Sequence, residues 1–133
     1  MPKRGKKKER TDIDRLKDIK KAIDTLLKET KNLTLESITS DTVNKYFVFH
    51  SVQIIGEAAH NIGEEIINKY KGKEYGDVKW GYFAELRHEI VHEYFEVDDE
   101  ETEKVLRKIW QLITSGELAG LGSKIAKIIE VEE

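Results

Sequence analysis

The feature that most constrains the fold of this chain is the helical spacing of its apolar residues in a sequence with a single proline, Pro2. From Thr11 onward, apolar side chains recur at intervals of three and four residues, as in Ile13, Leu16, Ile19 and Ile23. This spacing matches the turn of an α-helix, about 3.6 residues, whereas strands would need strict alternation. The sequence therefore predicts an all-α protein.

Capping and turn residues divide the chain into about five helices. Thr11 or Asp12 suits the cap of the first helix, Asp98 or Asp99 suits the cap of the fourth, and Ser115 with Gly116 ends that helix. The expected spans are 11–30, 41–70, 79–95, a helix from 98 or 99 to 115, and a last helix that is loosened at its start by Gly120 and Gly122. Such elements predict an antiparallel helical bundle.

The second predicted helix carries two different stripes. Its apolar face comprises Val43, Phe47, His50, Ile54 and Ala58, and its second stripe comprises Gly56, Ala59, His60 and Gly63. Because glycine inside a helix costs stability, we expect a close helix contact at Gly56 and Gly63, within the chain or with a second subunit. His50 and His60 are expected to be packing or surface residues, and Trp80 and Trp110 to anchor the core or an interface.

Composition and charge limit the class of protein. The 133 residues include no cysteine and no long apolar run, so we expect one domain with neither disulfides nor a membrane span, located in the cytoplasm. Residues 1–10 hold six basic residues and one acidic residue, although the whole chain carries −3. We therefore predict a basic disordered tail, 1–10, and a single acidic helical domain, 11–133, in which nucleic acid would contact the tail or a local basic site.

The segment LRHEIVHEYF, residues 86–95, holds the side chains that could carry chemistry. His88 and His92 match the HExxH pattern, in which two histidines one helical turn apart bind zinc and the intervening Glu89 acts as general base. A zinc site also needs a further ligand, and no histidine follows His92. Zinc hydrolysis is therefore the less favoured alternative.

Arg87, His92 and Tyr94 in the same segment form a second pattern, RxxxxHxY. This pattern resembles the signature of the HepT-like toxins of the HEPN superfamily, and the upstream QIIGEAAHNI, residues 53–62, resembles their long helix. The resemblance extends over about residues 11–115 and implies a HEPN-like up-and-down bundle that acts as a metal-independent endoribonuclease without a cofactor. His88 stands where this family most often has asparagine, and it could supply the same hydrogen bonding.

These residue types suit cleavage of RNA, in which the ribose 2′-hydroxyl can attack the adjacent phosphate. His92 can accept or donate a proton near neutral pH, and Arg87 offers a planar set of donors to the phosphate as its charge develops. Tyr94 could bind phosphate or a base. Arg87 and His92 lie about 140° apart around a straight helix, so the long arginine, a frayed helix end or a second subunit must bring them together.

The resemblance also implies partners. Members of the HepT-like family form homodimers in which the motifs of both subunits line one cleft. They also pair with an MntA-like nucleotidyltransferase antitoxin, which transfers AMP to the motif tyrosine, here Tyr94. We therefore expect the toxin of a toxin–antitoxin pair, with a non-catalytic helical partner of a nucleotidyltransferase as the alternative. A simpler interpretation places Arg87 and His92 in a surface lattice of ion pairs with Glu85, Glu89 and Glu93.

Overall fold

The computed structural model describes residues 10–96 and 99–133, and the side chains of residues 91–99 lie outside that description. Within these ranges the chain forms seven α-helices and one 3-10 turn and contains no strand, which confirms the all-α prediction. The helices are α1 (Asp12–Thr30), α2 (Leu35–Ser40), α3 (Thr42–Asn61), α4 (Glu64–Tyr70), α5 (Trp80–Glu96), α6 (Asp99–Thr114) and α7 (Glu117–Glu132), with the 3-10 turn at Glu74–Gly76.

Local sequence explains where the helices begin. Thr11 caps α1 in a reciprocal pair of hydrogen bonds with Asp14, of 3.1 and 3.0 Å. Asp41 caps α3 by accepting the Asn44 backbone N–H at 2.9 Å. Gly116 precedes α7 with a φ of 84°, a conformation that favours glycine. The predicted boundaries near Thr11, Asp41 and Gly116 are therefore confirmed.

The prediction of one helix over residues 41–70 is wrong. The backbone is extended at Ile62 and Gly63, so α3 ends there and α4 begins as a separate helix. Asp12 at the start of α1 accepts the Gly63 N–H at 3.1 Å and thus fixes the break from a distant part of the chain. The short helix α2, begun by a capping box of Thr34 and Ser37, also lies outside the five predicted helices.

The helix α3 lies at the centre of the bundle, where it packs against α1 and α5, and α1 packs in turn against α7. Lys17 pairs with Glu133 at the end of the chain at 2.9 Å, while Ile23 lies beside Gly122 near the start of α7. The helices α1 and α7 therefore run antiparallel. Their buried side chains include Leu16, Ile19, Ile23, Leu26, Leu118, Leu121, Ile125 and Ile128.

The prediction for the apolar face of α3 is only partly right, because Ala58 is buried and Phe47 is half-buried, whereas the other three side chains are exposed. Val43 is 75% exposed and Ile54 is 37% exposed, and His50 also faces solvent. The buried face instead comprises Val48, Phe49, Ser51, Val52, Ile55, Gly56, Ala58 and Ala59. Both faces of α3 are apolar, so the helical period alone could not select the one that is buried.

The other predicted positions have mixed outcomes. His50 and His60 are surface residues, and Trp80 and Trp110 are half-buried against the core. In α5, Phe83, Leu86 and Ile90 are buried in the core. Residues 1–9 of the predicted tail and Asp98 lie outside the described residues. Among the described helices, none is long and apolar enough to cross a membrane.

Candidate active site

The two sequence segments that carry the family resemblance meet at Gly56. A Cβ atom at Gly56 would lie 2.4 Å from the Arg87 Cβ and 2.6 Å from the Phe83 carbonyl oxygen, both on α5. Only glycine allows the backbones of α3 and α5 to approach this closely. The predicted close contact at Gly56 is therefore confirmed and lies within one chain. Gly63 instead begins α4, where its nearest neighbour is the Asp12 carboxylate.

The Arg87 side chain extends from its contact with Gly56 toward the surface, where its guanidinium lies. The side chain is 26% exposed, and Nη1 donates to Glu57 Oε2 on α3 at 2.8 Å. The Nε atom of Arg87 is buried and has no hydrogen-bond partner among the described residues. The Nη end of the guanidinium is therefore the part that a phosphate from solvent can reach.

The neighbours of Arg87 on α5 point in different directions. Leu86 and Ile90 are buried in the core, whereas His88 is exposed. Glu89 is half-buried and accepts from Lys108 on α6 at 3.0 and 3.3 Å. The described ion pairs of Arg87 and Glu89 thus connect α5 to two different helices, α3 and α6.

His92 and Tyr94 are part of α5, but the structure does not describe their side chains. Their roles, and the distance from Arg87 to His92, stay predictions. The same holds for the zinc alternative of His88, Glu89 and His92. Within the part of the chain that is described, no group of three or more histidine, aspartate or glutamate side chains could hold a metal ion. Glu89, the base of that alternative, is paired with Lys108.

An open groove of about 590 Å³ lies between α1 and α3, and Glu57 forms part of its wall. The groove has an apolar part at Ile54 and Ala58, with amide groups at Gln53 and Asn61. Its remaining lining residues are Arg10, Arg15, Asp18 and His50, where Arg10 pairs with Asp18 and Arg15 with Asp12. The groove thus offers apolar, hydrogen-bonding and charged groups beside the residue that binds Arg87.

Sequence reasoning did not select Glu57 as a site residue. The signal for it was its place in IIGEAA, directly after the glycine that receives Arg87. The ion pair spans thirty residues and two helices, so the spacing within the Arg87 segment could not reveal it. This residue links the upstream segment to the RxxxxHxY segment.

Comparisons with known proteins identify the family to which the chain belongs. The ribonuclease HepT-like family model matches residues 19–115. The chain is 28% identical over 119 residues to a protein of Thermococcus cleftensis named probable ribonuclease HepT, covering 90% of this chain and 96% of that protein. It is 33% identical over 85 residues to a candidate RNase of Methanocaldococcus jannaschii, covering 64% of this chain and 66% of that protein.

A third relative, a candidate RNase of Caldanaerobacter subterraneus, is 29% identical over 108 residues, which cover 81% of this chain and 85% of that protein. No solved structure matches the chain significantly. Because the family model covers most of the chain, the protein belongs to the HepT-like ribonuclease family. This membership confirms the resemblance inferred from sequence, and the enzyme class is that of a ribonuclease of the HEPN type.

Proposed function

We propose that the protein is a metal-independent endoribonuclease in which Arg87 binds the scissile phosphate and His92 transfers protons. The observation that carries this proposal is the presentation of the Arg87 Nη end at the surface, by a contact between the two family segments. A guanidinium held in this way can stabilise charge that develops on a phosphate in the transition state. The adjacent groove has the size and mixed lining that a nucleotide needs.

The chemistry requires no bound metal. The 2′-oxygen attacks phosphorus, a 2′,3′-cyclic phosphate forms, and the bond from phosphorus to the 5′-oxygen breaks. The 2′-hydroxyl loses its proton to a base, and the leaving 5′-oxygen gains one. Histidine has its ordinary pKa near neutrality, so His92 suits either transfer. Tyr94 lies two residues further along and would contact the phosphate or a base.

A homodimer would complete the site. On an ideal helix, positions five residues apart lie about 140° apart around the axis, so a second copy facing the first could supply the group missing beside Arg87. The exposed apolar ridge of α3, formed by Val43, Tyr46 and Ile54, is the surface that we propose for self-association, because these exposed side chains lie along one side of the helix. Glu57 lies on the same helix, so an interface at the ridge would be close to Arg87.

We further propose that the protein is the toxin of a cytoplasmic toxin–antitoxin pair whose nucleotidyltransferase transfers AMP to Tyr94. The tyrosine oxygen would attack the α-phosphorus of ATP, lose its proton and release pyrophosphate. An anionic AMP group on α5 would repel an RNA phosphate and compete for Arg87. Mass spectrometry after co-expression with the nucleotidyltransferase should show AMP on Tyr94 and none in Tyr94→Phe. An unmodified Tyr94 in an inactive complex would contradict this part of the proposal.

The test of ribonuclease function is cleavage of a mixed RNA substrate in excess EDTA. We expect cleavage by the full chain and losses of about a hundredfold or more in His92→Ala and Arg87→Ala. The exposed residues His60 and Arg107 provide matched controls, and His60→Ala and Arg107→Ala should cleave normally. Activity that appears only with added zinc would support the HExxH alternative. If the unmodified chain cleaves no RNA under any condition, the result would support the alternative that the protein is a non-catalytic helical partner of a nucleotidyltransferase.

A further inference from the structure

We propose that Glu57 is a positioning residue that orients the guanidinium of Arg87 toward the scissile phosphate, an inference that rests on the ribonuclease function proposed above. Glu57 Oε2 accepts from Arg87 Nη1 at 2.8 Å across the interface of α3 and α5. Glu57 directly follows Gly56, the residue against which the Arg87 Cβ packs. One turn of α3 therefore contacts both the Cβ atom and the guanidinium of Arg87.

The base of the Arg87 side chain is fixed by packing. The neighbouring residues Leu86 and Ile90 are each only 2% exposed, so α5 is seated in the core at this point. The contact with Gly56 leaves no room for the Arg87 Cβ to move toward α3. The remaining freedom lies in the long flexible part of the arginine side chain, which has many rotamers. The hydrogen bond to Glu57 at the end of the side chain reduces that freedom before substrate binds.

The burial of Nε defines which edge of the guanidinium is available. Because Nε is buried, the Nη groups must make the contacts with phosphate. Glu57 holds one of these groups and is itself 57% exposed, so its negative charge lies close to the place where the phosphate binds. Glu57 should therefore assist turnover through orientation and oppose ground-state binding through repulsion. This combination predicts opposite effects of Glu57 on kcat and on substrate affinity.

The pair differs from an ordinary surface ion pair of the same chain. Arg107 and Glu103 also lie 2.8 Å apart, but they are four residues apart on one helix and both are exposed. That pair does not join two helices, and exposed pairs of this kind contribute little to structure. Glu103→Ala is therefore a matched control, because it removes the same type of bond at a site outside the proposed machinery.

The experiment measures kcat and KM of the full chain on one defined RNA for Glu57→Ala, Glu57→Gln and Glu103→Ala. We expect Glu57→Ala to lower kcat about tenfold or more, because a small displacement of a positioned group is costly in the transition state. Glu57→Gln keeps an oxygen acceptor without the charge, so its kcat should stay within about threefold of the unaltered value while its KM falls. Glu103→Ala should change neither parameter.

A second readout reports on Arg87 directly. The ¹⁵N NMR signal of its Nε–H group can be assigned by its loss in Arg87→Lys. We expect this signal to shift and broaden in Glu57→Ala and to stay unchanged in Glu103→Ala. A kcat within about twofold of the unaltered value in Glu57→Ala, equal losses in Glu57→Gln and Glu57→Ala, or an unchanged Arg87 signal would each overturn the positioning role. If the unaltered chain cleaves no RNA, the proposed function fails, and the NMR signal still decides whether Glu57 orients Arg87.

Discussion

At the scale of single residues, Gly56 and Glu57 determine the surroundings of the arginine that the family motif identifies. Gly56 lets α5 approach α3 until the Arg87 Cβ would meet any added side chain, and Glu57 accepts from the other end of that arginine. A glycine that would be unfavourable in an isolated helix thus has a packing reason here. The candidate site therefore depends on residues outside RxxxxHxY as well as within it.

Replacement of Gly56 by alanine should destabilise the fold. The added Cβ would meet the Arg87 Cβ and the Phe83 backbone, neither of which is a flexible chain end. Overpacking of this kind costs about 1–3 kcal/mol, which exceeds the roughly 1 kcal/mol that alanine contributes in helix propensity. Urea denaturation of Gly56→Ala should therefore show a lower free energy of unfolding, together with impaired RNA cleavage.

Gly120 provides the matched control for that substitution. It lies within α7 with no heavy atom within 4 Å of an added Cβ, so Gly120→Ala should raise the free energy of unfolding by up to about 1 kcal/mol. Equal effects of the two substitutions would show that the contact of α3 with α5 is less tight than the distances indicate.

The sequence pointed to Arg87 as a candidate site residue but not to its ion-pair partner Glu57, for a physical reason. Arg87 belongs to a local pattern, RxxxxHxY, whose members share one helix, and the resemblance of that pattern to the family signature made Arg87 a candidate. Glu57 acquires its partner only when α3 and α5 pack, and thirty residues separate the two side chains. Its importance follows from tertiary structure, although the neighbouring Gly56 already predicted a close helix contact at that point.

At the scale of helices, hydrogen bonds connect the end of α7 to the end of α4. Tyr70 is buried and donates to the Glu132 carboxylate, to which Lys69 also donates at 2.5 Å. Hydrogen bonds from Lys69 and then from Tyr70 lower the pKa of Glu132. Burial, followed by the hydrogen bond to Glu132, raises the pKa of Tyr70. Because of these two pKa shifts, the contribution of the Glu132 hydrogen bonds to stability depends on pH.

The contribution of Glu132 to stability should disappear in acid. Its folded-state pKa lies below the ordinary value of 4.5, so the contribution is present above that pH and is lost as the pH falls through the folded-state pKa. The free energy of unfolding of Glu132→Gln should therefore be lower than that of the unaltered chain near neutrality, and the difference should shrink in acid. Urea denaturation at about pH 7 and about pH 3 measures this.

The exposed residue Glu130 on the same helix, which pairs with Lys127 at 3.6 Å, is a suitable comparison. Glu130→Gln should alter the free energy of unfolding little at either pH. If the free energy of unfolding of Glu132→Gln differs from that of the unaltered chain by the same amount at neutral and acidic pH, the lowered pKa of Glu132 is contradicted. At the alkaline limit, Tyr70 has a folded-state pKa above 10, so its contribution is complete below pH 10 and is lost as the pH rises through that pKa.

The helices also show which elements the sequence could predict. The helix α1 has a strong cap at Thr11 and one clear apolar stripe, so its span was predicted almost to the residue. The break between α3 and α4 depends on the Asp12 carboxylate, which reaches Gly63 only in the folded chain. The helix α2 has six residues, too few for a period to emerge. Local signals thus predicted the helix starts, whereas packing determined the break.

At the scale of the whole molecule, the exposed ridge of α3 lies beside the candidate site. The ridge residues Val43, Tyr46 and Ile54 are 75%, 51% and 37% exposed, although they belong to the helix that packs most centrally in the bundle. The opposite face of the same helix holds Gly56 against α5. A partner on the ridge would therefore cover α3 completely and come close to Glu57 and Arg87.

We expect Val43→Glu to convert a homodimer to a monomer and to abolish RNA cleavage together, because a charge at the ridge would have to lose its water in the interface. Val131 on α7 is 47% exposed and away from the ridge, so Val131→Glu should leave both properties unchanged. Light scattering after size-exclusion chromatography gives the mass, and the EDTA assay gives the activity. If Val43→Glu stays dimeric and active, the ridge is not the interface. If the unaltered chain is monomeric and cleaves RNA, then Arg87 and His92 must converge within one chain, through the reach of the arginine side chain or the end of α5.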